Sequence, residues 1–148
     1  MEQFRDYYNN KFHTILGGVP TQEQGIPRIQ LQKALDKRHV QIPAALFEYY
    51  VLAGRHPINT EHNCLRTVDE LDWMDDKLVF MDENQNVVFW GIDRNDLSKD
   101  DPIVWQGVNS EPMEWYEEDF SVSRFMMAMW EWITTGEMPA NDETYRPS

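Results

Sequence analysis

His56, His62 and Cys64 are the residues whose types come nearest to metal or nucleophile chemistry. Imidazole nitrogen and thiolate sulfur are favoured zinc donors, used in sets of four at recurring spacings. Here the run reads H-x5-H-x-C, which matches no common zinc pattern, and a fourth ligand is not evident. The expectation is loop residues with a buried thiol, and no metal. Nucleophilic catalysis through Cys64 needs an activating histidine. His39, His56 and His62 are all open to that role, and nothing specifies one of them. No HExxH, GxSxG, Walker or GxGxxG pattern occurs, and Gly17-Gly18 lacks the strand–glycine–helix setting of a phosphate loop. The expectation is a chain with no catalytic residue and no cofactor, hence not an enzyme.

What the chain carries in quantity is negative charge. Its 148 residues have a net charge of −13. Residues 1–60 hold 5 acids and 7 bases, while residues 61–148 hold 21 acids and 6 bases, so the second stretch bears −15. Such a field repels phosphate backbones and anionic membrane surfaces, which disfavours nucleic-acid and membrane partners. It attracts a basic protein and speeds the encounter. The acids fall in runs, at 69–76, 93–101 and 114–119. From them come the candidate partner-binding residues Asp72, Asp75, Asp76, Asp93, Asp96, Asp100, Asp101, Glu114, Glu117, Glu118 and Asp119. A single acidic run usually only solvates a face. Runs interleaved with Trp73, Trp115 and Tyr116 are more suggestive, because interfaces favour aromatic anchors.

These residues need a scaffold. The length is that of one ordinary domain, and such a chain buries roughly 68–70% of its unfolded surface. Apolar residues make up 41% and aromatics 13%, enough for a core. One cysteine permits no intrachain disulfide and favours a reducing compartment. Residues 1–12 are polar and lack a signal-peptide core, and no run approaches ~20 apolar residues. The expected location is the cytoplasm.

Hydrophobic spacing places the elements. Phe4, Tyr7, Tyr8 and Phe12 suggest a short helix over 2–13, within an N-terminal extension of residues 1–24 that ends in a Gly/Pro-broken linker. Pro27 opens a second helix with Leu31, Ala34 and Leu35 on one stripe. Ile42-Pro43 opens a third, apolar nearly all round, ended by Gly54 in the left-handed conformation. Leu78–Met81 and Val87–Trp90 read as a hairpin with both faces covered, turned by residues 83–86. Further strands fall at Ile103–Trp105 and Met113–Glu117. Ser121 caps a last helix striped by Val122, Phe125, Met126, Met129, Trp130 and Ile133 and stopped by Gly136. Met127 and Trp132 point off that stripe and demand a second contact surface. Residues 138–148 read as a loose tail. Helices, then strands, then one helix predict an α+β fold, with helices on an antiparallel sheet of about four to six strands.

Three of these stretches resemble the SUKH superfamily, which includes bacterial immunity proteins and yeast cell-wall regulators. They are Ile42-Pro43 with its aromatic-rich, glycine-ended helix, the hairpin from Leu78 to Ile92 with its Glu83-Asn84-Gln85 turn and Trp90, and Asp101-Pro102-Ile103-Val104-Trp105 followed by an apolar helix. The family often ends its helix in Asn-Gly, where this chain reads Ala53-Gly54-Arg55. The resemblance spans roughly residues 25–137 and implies an α+β fold without catalytic activity. It implies a protein that binds another tightly, for many bacterial members a toxin such as a nuclease. A regulatory or adaptor module of the same fold is the alternative. The resemblance assigns no contact residues.

Overall fold

The computed structural model describes residues 2–137. It is the expected α+β fold, helices first, then strands, then a helix. Helices α1 (Glu2–Leu16), α2 (Arg28–Arg38) and α3 (Ala44–Ala53) precede six strands. The strands are β1 (Cys64–Leu65), β2 (Asp72–Met74), β3 (Lys77–Asp82), β4 (Val88–Asp93), β5 (Ile103–Val108) and β6 (Glu114–Ser121), and α4 (Val122–Thr135) follows directly. All pairings are antiparallel, in the order β1-β3-β4-β5-β6, with β2 also paired to β3.

The β3–β4 hairpin forms where expected. The Glu83 carboxylate ties its turn by accepting from the amides of Gln85 and Val87. Asn86 takes φ 57°, a left-handed conformation that asparagine tolerates. Two short strands, β1 and β2, were not expected. Neither is long enough to show a period of two, and β2 lies inside the acidic run 69–76.

α1 does not stand apart as an N-terminal extension. Phe4, Tyr8 and Phe12 recur every four residues, so they share one helix face, and all three are buried. Phe12 lies 4.5 Å, centroid to centroid, from Trp130 of α4, and the Tyr8 hydroxyl donates to the Ala45 carbonyl. They belong to the same core as Tyr49, Leu78, Ile92 and Phe125. The expected break at residue 24 is therefore a turn within one folding unit.

Two helix ends differ from expectation in their physics. Gly54 sits at φ −61°, an ordinary right-handed conformation. Glycine suits it for space: a Cβ would stand 2.6 Å from the Tyr50 carbonyl oxygen and 2.8 Å from Ile26 Cδ1. Ser121 occupies the N-cap position of α4 without capping through its own side chain. The cap comes from Asp101, whose Oδ1 accepts from the Ser123 amide at 2.8 Å.

The helices cover one face of the sheet. Phe125 of α4 packs on Phe80 and Trp90, 5.9 and 5.6 Å between centroids. Met127 is buried as well, and Trp132 sets an edge against His62, which together supply the second contact surface.

Candidate functional site

Among the described residues, no helix lies over the other face of the sheet, which is built by alternation. Five strands contribute one lateral row: Asp72, Val79, Gly91, Trp105 and Glu117 are successive cross-strand partners. A second row sets Asp82, Phe89, Gly107 and Trp115 side by side. A third pairs Met74, Lys77 and Asp93. Val79 and Phe89 are buried, yet they lie outside the helix-side core. The expectation that both hairpin faces are covered holds, with tryptophans in place of a second helix layer. Trp115 lies across Gly107 so closely that a Cβ there would meet its ring carbons at 2.6 to 2.8 Å.

Lys77 is the centre of this face. Its ammonium stands 4.8 Å from the centroid of Trp105 and 5.6 Å from that of Trp115. It pairs with Asp76 at 2.7 Å and Asp93 at 3.2 Å. Burial alone would lower the Lys77 pKa, but the hydrogen bonds of Asp76 and Asp93 raise it above its ordinary value. The hydrogen bond from Lys77 likewise holds Asp76 below the usual aspartate value. The side chain of Lys77 is 7% exposed and that of Asp76 61%, so the cation is sequestered while its partner still faces water. Asp75, at φ 54° in the β2–β3 turn, accepts from the indole N–H of Trp115 at 2.8 Å. The result is an aromatic plateau with one neutralised cation inside and carboxylates around the rim.

The candidate acids divide by position. Asp72, Asp75, Asp76, Asp93 and Glu117 converge on this face. Glu114 and Glu118 lie on β6 and turn toward the helix side. Glu114 accepts from the Tyr116 hydroxyl, and half-buried Glu118 accepts from the indole N–H of Trp90 at 3.0 Å. Asp119 is exposed near the end of β6. Asp96 pairs with Lys99 at 3.1 Å in the connection between β4 and β5. Asp100 lines a groove of about 580 Å³ with Arg28, Phe47 and Leu97, none of which belongs to the plateau.

Asp101 is a correction. It is 2% exposed and cannot meet a partner. Beyond its cap to Ser123, its Oδ2 accepts from the hydroxyls of Ser123 at 2.6 Å and Ser121 at 3.1 Å. Burial pushes its carboxyl above the usual aspartate value, against the pull of those serine hydrogen bonds. An Asp-Pro at a strand start looks like a solvated turn in sequence. The serines that claim the carboxylate lie about twenty residues on.

The residues with potential metal or nucleophile chemistry are used structurally. His56 Nδ1 accepts from the Ile58 amide at 3.1 Å, and its ring lies 4.8 Å from Trp130. Cys64 is exposed, not buried as expected, because it lies on β1 opposite Asp82, on the open face. Among the described residues, no group of three or more His, Cys, Asp or Glu side chains is placed to hold a metal ion. No helix among them is long and apolar enough to cross a membrane.

Sequence reasoning passed over Lys77, Asp82 and Trp105. The available signal was Lys77, a lone cation between an acidic run and an apolar strand. Comparison with known proteins supplies nothing further: no family model, curated protein or solved structure matches the chain.

Proposed function

We propose that this chain is a protein-binding immunity protein of the SUKH type, which neutralises a toxin domain by occluding its basic surface. The observation that carries the reading is the open sheet face, where acids at both ends of one row, Asp72 and Glu117, flank a tryptophan plateau. Half-buried aromatics beside charge give an interface its anchors, and the acids give it steering and register. A nuclease domain is basic where it meets phosphate, so it is a natural complement. The same field repels nucleic acid and anionic lipid. Neither catalysis nor a cofactor is required for occlusion.

The test is capture of the partner from a lysate of the source cells at low salt, followed by association kinetics. Asp72→Lys with Glu117→Lys reverses both ends of the row and leaves the Lys77 cluster intact. Association with a basic toxin domain is expected to slow by about tenfold or more and to lose much of its salt dependence. An unchanged rate and salt slope would sink occlusion by this face. Capture of regulatory or structural proteins in place of a toxin would favour the adaptor reading.

A further inference from the structure

We infer that the outer edge of β6 takes up an extended, lysine- and arginine-rich segment of the partner as a further strand of the sheet. This rests on the protein-binding reading above and specifies how the partner docks.

The sheet has two edges of different kinds. One is divided between β1 and β2, of 2 and 3 residues. The other is β6, 8 residues long and, among the described residues, paired only with β5. A long edge presents a row of main-chain donors and acceptors, the template on which another strand adds. Phe120 and Ser121 at its end are buried, so residues 114–119, at ~3.4 Å each, offer roughly 20 Å of it.

The side chains along this edge decide what pairs there. Glu117 is on the open face with half-buried Trp115. Glu114 and Glu118 are on the opposite face with Tyr116, which is 52% exposed. Each face of an incoming strand therefore meets a carboxylate and an aromatic ring. Lysine and arginine suit both, since their stems lie on apolar rings and their heads interact with π-faces and carboxylates. A second copy of this chain is excluded by the same residues, because pairing β6 with β6 sets glutamates against glutamates. The acids that guard the edge against self-association thus select a cationic strand.

The probe is an eight-residue peptide of lysine, arginine, threonine and valine with cations on both faces. The control is the same peptide with its central valine replaced by proline, which cannot donate to a ladder. Amide exchange of the full chain is followed by NMR at low salt. The expected result is slowing by about tenfold or more at β6 amides with the first peptide, and little change with the second. In Glu114→Lys with Glu117→Lys the protection disappears while the fold's spectrum is kept. Equal effects of both peptides would show attraction by charge alone and overturn the inference. So would protection confined to the plateau around Lys77, or self-association through β6 in sedimentation. Failure of the immunity reading looks different: β6 amides are protected by the peptide, but no toxin domain is captured from the source cells.

Discussion

Replacing Asp101 by alanine strips three hydrogen bonds from buried donors at once: the Ser123 amide and the hydroxyls of Ser121 and Ser123. Losing a cap and leaving buried groups unsatisfied predicts destabilisation of about 2–4 kcal/mol, read as a lower denaturation midpoint. Partner affinity per folded molecule should be unchanged, which separates this fold-supporting acid from the rim acids. His56 predicts a pH effect. Burial against Trp130 lowers its pKa below the ordinary histidine value, against the opposing pull of Glu61. A depressed folded-state pKa contributes stability that is present above the unfolded value near 6.5 and is lost as pH falls through the folded value. Protonation also removes the acceptor that Nδ1 offers to the Ile58 amide. Unfolding free energy should therefore drop between about pH 7 and pH 5.5. In His56→Asn, which keeps a capping oxygen, that part of the drop should vanish, leaving a pH-independent loss from the missing ring contact. An unaltered pH slope in the variant would refute the assignment.

At the scale of elements, Gly107 predicts most about the open face. Alanine there would place a Cβ within 2.6 Å of Trp115 ring carbons, so the indole must lift. The lift breaks its bond to Asp75 and exposes more of the half-buried indole to water. Overpacking of this kind costs about 1–3 kcal/mol, and tryptophan emission should shift to the red. What was legible in the sequence follows the same logic. α4 was readable because six apolar positions fall on one stripe, and the β3–β4 hairpin because its strands are apolar and its turn is polar. β1 and β2 were not, because 2 and 3 residues carry no period and their pairing with β3 is set by tertiary contact. The sequence pattern predicts that β6 ends near Glu117, although the strand continues to Ser121 past a register shift opposite Ile103 and Trp105 that sequence does not announce. The acids of 69–76 and 93–101 are legible as runs, but their sorting into rim, groove and buried cap depends on register. Asp93 reaches the plateau because it pairs with Lys77, whereas Asp101, eight positions on, is enclosed by Ser121 of β6 and Ser123 of α4.

For the whole molecule, the uneven charge sets two responses to salt of opposite sign. Residues 61–148, with 21 acids and 6 bases, supply all six strands and α4. Folding brings the acids of the described strands and their connections together, so self-repulsion opposes the native state. Raising ionic strength from about 0.01 M to 0.15 M shortens the screening length from about 30 Å to about 8 Å. The exposed rim acids are screened most. The Lys77 cluster, whose cation is 7% exposed, is screened least. The unfolding midpoint should therefore rise with salt over this range while association with a basic partner slows. Asp72→Lys with Glu117→Lys should diminish both slopes together, because the same carboxylates repel one another in the free protein and steer the partner toward it. A midpoint that falls with salt would mean that attractive pairs such as Arg28–Glu48 and Arg66–Asp82 outweigh the repulsion. The acidity would then be a property of the fold's own ion pairs and not a field held ready for a partner.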